Sequence, residues 1–198
     1  MITITPKIEK KKKSKPKTLT CEISRLNEVK IYAEDSFWDA WQEYHFDLQL
    51  IYGFYKQVPQ LKENGEIKIS DGKNVIVGKR VEEYKAILTG GYTLPSILTK
   101  EQLEAQGYSY TPHRKIRVGI DHNHHFIERY KKRGFDLGLA AIFISKIAQT
   151  KLGQRVKIIS EDDIMIGTRT TMNNSMLITG MKRGEIDWED YVDKKMDL

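Results

Sequence analysis

The chain has 198 residues, room for one domain with a real core or for one domain and a smaller N-terminal companion, and it carries a formal charge of +6 and a single cysteine, Cys21. One cysteine excludes an intrachain disulfide and a cysteine-rich metal site. The apolar runs are short and broken by charge, which argues against a membrane span and a signal peptide, so the expectation is a soluble, cytoplasmic protein with no membrane partner.

The positive charge is concentrated at one end. Residues 1–20 hold Lys7, Lys10, Lys11, Lys12, Lys13, Lys15 and Lys17 against Glu9 alone, so they account for the whole +6 and the remainder is formally neutral. Such a run, with Pro6 and Pro16, has no apolar surface to bury and is expected to be a disordered arm. An arm of this kind adds sequence-independent affinity for RNA through counterion release, and it also serves equally well as a solubilising tail.

No internal repeat is apparent in the residue pattern. Alternation over 18–32 predicts one or two short strands. Asp35 or Ser36 can cap a single aromatic-rich helix over 37–55, with Trp38, Trp41, Tyr44, Leu48, Ile51, Tyr52 and Tyr55 at helical spacing as a packing stripe. Residues 62–81 read as a hairpin turning at Asp71-Gly72, and 82–88 as a short helix ending at Gly90-Gly91. Thr99-Lys-Glu-Gln102 has the form of a capping box for a helix to about Gln106, closed by Gly107.

A strand is predicted over 115–120, followed by a helix beginning near His124, capped by Asp121 or Asn123 and stopped by Gly134. Asp136 caps a second helix over 137–150, with Gly153 as its stop. Strands over 155–160, 163–170 and 175–179 form an antiparallel meander, its last hairpin turning at Asn173-Asn174. The acidic segment 185–198, with Trp188 and Tyr191, reads as a short docked helix.

The chemistry centres on His125, Arg129 and Arg133, which recur every fourth residue and therefore share one helix face. A histidine in a first helical turn sits where the positive end of the dipole favours the unprotonated imidazole and attracts an anion. Metal-free RNA cleavage needs a base for the ribose 2′-hydroxyl, cations for the phosphate and an acid for the departing oxygen. His125 suits the first role and the two arginines the second, with Arg155, Lys157, Arg169, Lys182 and Arg183 as further RNA-binding cations. An ordinary helix gives a competing account, because Glu128 can pair with Lys132 and Arg133 can favour the helix C-terminus. Asp121-His122-Asn123-His124-His125 invites a metal reading as well. No second ligand cluster follows at suitable spacing, His113 being the nearest candidate, so no metal or cofactor is expected.

The stretch His125-Phe-Ile-Glu-Arg129-Tyr-Lys-Lys-Arg133-Gly, followed by apolar residues 139–147 and strands, resembles the RegB-like phage endoribonucleases and the wider RelE-like toxin superfamily. The resemblance covers roughly residues 118–182 and is specific over about ten of them. It implies a RelE/RegB-like α+β domain over 113–198, helices packed on an antiparallel sheet, preceded by an N-terminal α+β extension over 21–112 and the basic arm. It further implies a metal-independent endoribonuclease that cuts single-stranded RNA to a 2′,3′-cyclic phosphate, phage-borne or toxin-like, acting in the host cytoplasm with RNA and a ribosome or other host protein as partners. His125 would take the family's first catalytic histidine role, with Arg129 and Arg133 beside it and His124 as an added candidate. The family's second histidine position falls on Ser145, which has no useful acid or base near neutral pH. A noncatalytic RNA-binding or host-interaction protein on the same fold is the alternative.

Overall fold

The computed structural model describes residues 17–120 and 125–184. The lysine run, the cap candidates Asp121 and Asn123, His122 and His124, and the acidic segment 185–198 lie outside the described residues. The expected arm is shorter than 20 residues, because Leu19–Glu22 is already strand β1.

After β1 the order is β2 (Lys30–Ala33), α1 (Asp35–Tyr44), α2 (Gln49–Gln57), β3 (Glu66–Ser70), β4 (Asn74–Glu82), β5 (Lys85–Thr93), α3 (Lys100–Ala105) and β6 (Ser109–Tyr110). Then come β7 (Arg117–Ile120), α4 (His125–Arg133), α5 (Gly138–Ile147), β8 (Arg155–Ile159), β9 (Asp163–Arg169) and β10 (Asn174–Lys182). The chain is thus α+β, with two mixed five-stranded sheets among the described residues.

Two expected helices are corrected. The single helix over 37–55 is broken at His45, which adopts the left-handed conformation (φ 49°) and donates its N–H to Trp41 O at 2.8 Å. Asp47 then accepts the Gln49 N–H at 2.9 Å and restarts the chain as α2. Residues 82–88 complete β4 and begin β5. Ala86 and Leu88 are buried while Lys85 and Ile87 are only partly covered, and β5 is paired with β2 on one side and β4 on the other. That two-sided ladder overrides a local run that reads as helical. The hairpin at Asp71-Gly72, the Thr99 capping box and the left-handed stops at Gly107 and Gly134 form as expected, whereas α5 ends at Ile147 and Gly153 takes its left-handed conformation in a separate turn beyond it.

The element order contains a duplication that the residue pattern did not disclose. β2-α1-α2-β3-β4-β5 and β7-α4-α5-β8-β9-β10 have the same topology. In each, the first strand pairs parallel with the last, and the remaining strands form an antiparallel meander. One constant spacing relates Phe37 to Phe126, Phe46-Asp47-Leu48 to Phe135-Asp136-Leu137, Phe54 to Phe143, Gly78 to Gly167, Arg80 to Arg169 and Gly91 to Gly180. The same spacing relates the bulges, since the ladder register shifts at Thr89 in one repeat and at Ile178 in the other.

Shared glycines explain how the helices seat on the sheets. A Cβ on Gly78 would fall 2.6 Å from the Phe54 ring and one on Gly167 2.4 Å from the Phe143 ring, while Gly91 and Gly180 make the same room for Phe46 and Phe135. Each repeat therefore presses two phenylalanines into positions where only hydrogen fits.

The repeats interlock. β1, which precedes the first repeat, adds to β8 of the second, and β6, which precedes the second, adds to β3 of the first. α2 packs against α5, and one continuous apolar core runs from Val29 to Leu177 across both repeats.

Two links tie each interhelical turn to the other repeat's first strand. Asp47 accepts the Val118 N–H at 3.0 Å while Leu48 donates to Val118 O at 3.0 Å. Asp136 accepts the Ile31 N–H at 2.8 Å while Leu137 donates to Ile31 O at 2.8 Å. A turn thus reads both backbone groups of one residue across the repeat boundary.

Alanine at Gly78 or Gly167 is expected to destabilise the protein by about 1–3 kcal/mol through overpacking against phenylalanine, measured by urea denaturation. Alanine at Gly90, where nothing lies within 4 Å of the added Cβ, should leave stability unchanged or slightly raised.

Candidate functional site

α4 carries His125, Arg129 and Arg133 along one side, as its spacing requires, while Phe126, Ile127 and Tyr130 face the core. The His125 side chain is 36% exposed, with Nδ1 3.9 Å from Glu128 Oε2. The arginines reach the half of β10 that lies beyond its pairing with β7. Arg129 Nη1 donates to Thr179 Oγ1 at 2.7 Å, and Arg133 Nη1 to Gly180 O at 3.4 Å. The row is therefore assembled, and both guanidiniums are positioned against a strand edge.

Comparison with the first repeat separates what the fold needs from what it does not. Ser36, Ala40 and Tyr44 stand where the second repeat has His125, Arg129 and Arg133. A helix in the same place forms without any of the three basic side chains.

Arg169 gives the opposite result. It donates to Thr171 O, Thr150 O and Met172 O, clamping the β9–β10 turn. Its counterpart Arg80 makes the corresponding bonds to Glu82 O, Leu61 O and Glu83 O. An arginine that makes the same three contacts in both repeats belongs to the architecture. Arg169, expected among the RNA-binding cations, is thus engaged with three backbone carbonyls.

The other strand cations are dispersed. Lys182 Nζ pairs with Asp163 Oδ1 at 2.9 Å and Arg183 Nη1 donates to Ser160 O at 3.3 Å, both at the end of β10 remote from Arg169. At the strand rise of about 3.3 Å per residue, roughly 20 Å separates these two groups of cations. Lys157 is buried within β8 and Arg155 half-buried at its start, so the five expected RNA-binding residues do not line one cleft. Ser145, at the expected second histidine position, donates to Ile142 O at 2.7 Å within its own helix.

A second constellation follows from the two shared aspartates. Asp136 is buried with Arg25, each with a side chain 1% exposed. Arg25 donates from Nε to Asp136 Oδ2 at 3.0 Å and from Nη2 to Val29 O at 2.8 Å, and Nη2 also lies 2.9 Å from the same Asp136 Oδ2 as an ion pair. Burial pushes the Asp136 carboxyl up, opposed by Arg25 and by the Ile31 and Gly138 amides. Burial works to lower the Arg25 guanidinium, yet Asp136 and Glu28 hold it above its ordinary range. Gly138 makes this possible, because a Cβ there would fall 2.2 Å from Arg25 Nη2.

In the first repeat the pair is not formed. Gln49 occupies the position of Gly138, and its amide accepts from the Arg114 N–H at 2.8 Å and meets His113 Nδ1 at 2.8 Å. Arg114, the counterpart of Arg25, lies 3.9 Å over the Tyr52 ring and donates to Ile144 O. Asp47 Oδ1 keeps its two backbone donors, while Oδ2 is buried with no hydrogen-bond partner. Burial raises the Asp47 carboxyl, the Gln49 and Val118 amides opposing it.

Around Asp47 opens a cavity of about 550 Å³ lined by Trp41, Phe46, Asp71, His113, Arg117 and Asn174 among others. Gln49 Oε1 is occupied by the Arg114 amide, so its Nε2 faces His113 and makes Nδ1 the acceptor. The ring proton then lies on His113 Nε2, 3.6 Å from Asp71 Oδ2. Sequence reasoning singled out only His113 here, as a metal candidate. The recurrence of Phe-Asp-Leu-x-Leu at residues 46–50 and 135–139 is the signal that leads to the rest.

Among the described residues no group of three or more His, Cys, Asp or Glu side chains is arranged to hold a metal ion, and no helix is long and apolar enough to cross a membrane. No family model matches the chain, and neither a curated protein nor a solved structure matches it.

Asp136→Asn is expected to cost about 3 kcal/mol, because it removes the buried counter-charge of Arg25 and leaves it only the half-exposed Glu28. Asp47→Asn should cost nothing at pH 7. A carboxyl raised in the folded state contributes stability that is present below the unfolded value and lost as pH rises through the folded one. The Asn variant should therefore match the wild type below pH 3.8 and become the more stable protein as pH rises above it, as read by urea melts across that range.

Proposed function

We propose that the chain is a metal-independent endoribonuclease acting on single-stranded RNA, on a RelE/RegB-like arrangement of two helices followed by a strand meander. The observation that carries this reading is the row His125, Arg129 and Arg133, present in the second repeat and replaced by Ser36, Ala40 and Tyr44 in the first. Residues that the fold does not require, gathered on one helix face as an imidazole followed by two cations, are the kind of set that phosphoester chemistry uses.

In this mechanism His125 takes the proton from a ribose 2′-hydroxyl as the 2′-oxygen attacks the adjacent phosphorus. The bond to the 5′-oxygen breaks, a 2′,3′-cyclic phosphate forms, and His124 supplies the proton to the departing oxygen. Arg129 and Arg133 hold the phosphoryl oxygens as charge builds on them. The lysine run at residues 7–17 adds affinity for the RNA backbone without sequence preference.

A noncatalytic RNA-binding protein is the second reading. The engagement of Arg129 and Arg133 with β10 and the internal hydrogen bond of Ser145 favour it.

The two readings separate in one experiment, in which the protein and its His125→Ala variant are incubated with a mixed RNA pool in EDTA and the new ends are mapped. The endoribonuclease reading expects cyclic phosphate ends, with the variant slower by at least about a hundredfold. Equal cutting by both proteins, or cutting only after divalent metal is added, would falsify it. Steeply salt-dependent binding with no product would establish the noncatalytic reading.

A further inference from the structure

We propose that the cavity at Asp47 is a binding site for an alkylguanidinium group, the side chain of arginine or a small molecule that ends in the same group. This inference stands apart from the RNA reading, since it concerns Asp47 of the first repeat and a cavity to whose lining α4 contributes no residue.

The second repeat supplies the template. Asp136 uses Oδ1 for two backbone N–H groups and Oδ2 for the Arg25 guanidinium, whose Nε and Nη2 converge on that one oxygen. Asp47 repeats the first half of this arrangement, with Oδ1 bound to the amides of Gln49 and Val118. The second half is missing. Oδ2 is buried without a hydrogen-bond partner, and the arginine that would reach it is held on Tyr52 because the Gln49 side chain stands in its path.

A buried carboxylate oxygen left in this state is costly, and an incoming cation with N–H donors relieves that cost. The cavity is suited to deliver one. Its lining includes the carboxylates of Asp47 and Asp71, the guanidinium of Arg117, the imidazoles of His45 and His113, and the aromatic residues Trp41 and Phe46, a residue type with which a guanidinium associates favourably. An ammonium group carries the same charge, but it lacks the planar fork that lets two nitrogens meet one oxygen as Arg25 does. Where Asp136 is plugged by Arg25 from the segment that precedes β2, Asp47 is left open for a guanidinium from outside.

Calorimetric titration with agmatine tests this directly on the full chain. The expected result is saturable binding at one site, weakened at least about tenfold in Asp47→Asn. A second variant guards against a trivial loss of structure. Gln49→Gly clears the path for Arg114 to swing onto Asp47, so it should raise the thermal midpoint while abolishing agmatine binding, the behaviour of a site filled from within. Butylamine, which has the charge without the fork, should bind more weakly than agmatine. A short peptide with a central arginine, set against its lysine counterpart, identifies the source. Binding of the arginine peptide more tightly than agmatine assigns the site to a polypeptide partner, and the reverse order assigns it to a small molecule. Failure of both agmatine and the arginine peptide to bind the wild type, or equal agmatine binding by wild type and Asp47→Asn, overturns the proposal.

Discussion

Two aspartates hold this molecule together. Asp47 and Asp136 each sit in the turn between two helices and accept the N–H of a strand residue from the opposite repeat, while the following leucine donates back to the same residue's carbonyl. Because each repeat grips the other in the same way, neither interhelical turn has its full set of partners without its neighbour. The apolar cluster shared by both repeats and the packing of α2 on α5 accompany that reciprocal grip.

Equivalence between the repeats is broken where chemistry is to be expected. Side chains that recur, such as the buried phenylalanines, the glycines beneath them and the turn-clamping arginines Arg80 and Arg169, describe what the architecture requires. Side chains that do not recur describe what has been added. Two such departures stand out, the basic row on α4 and the exchange of Gly138 for Gln49 that leaves Asp47 without an arginine. The first sets cationic side chains against β10, and the second leaves a buried carboxylate oxygen without a hydrogen-bond partner. The protein thus presents opposite electrostatic demands in its two halves, although the polypeptide outside the lysine run is formally neutral.

Much of the local structure was legible in the residues, and the reasons are local. Asp71-Gly72, the Thr99 box and the glycines at 107 and 134 act within a few residues of themselves, and each formed where expected. The break at His45 was hidden because a left-handed histidine lacks the glycine that usually marks such a stop. β5 was hidden because its partners are distant. The duplication escaped notice for a third reason, since the residues it shares are packing and turn positions scattered among unrelated ones. The α4 row was readable from spacing alone, whereas Asp47, Asp71, His113 and Arg117 come from separate segments and meet only in the fold.

The exchanged strands also govern the order in which the polypeptide can become native. β1 emerges first during synthesis, yet its neighbour in the sheet is β8, so Leu19 must wait for Val156 before its hydrogen bonds can close. Until then the apolar side of Leu19 and Cys21 has no sheet to join. Contacts of such high sequence separation place folding at the slow end of the range for a chain of this size and leave an early strand exposed to mispairing. Lysines immediately upstream of that strand supply the repulsion that discourages one nascent chain from pairing with another.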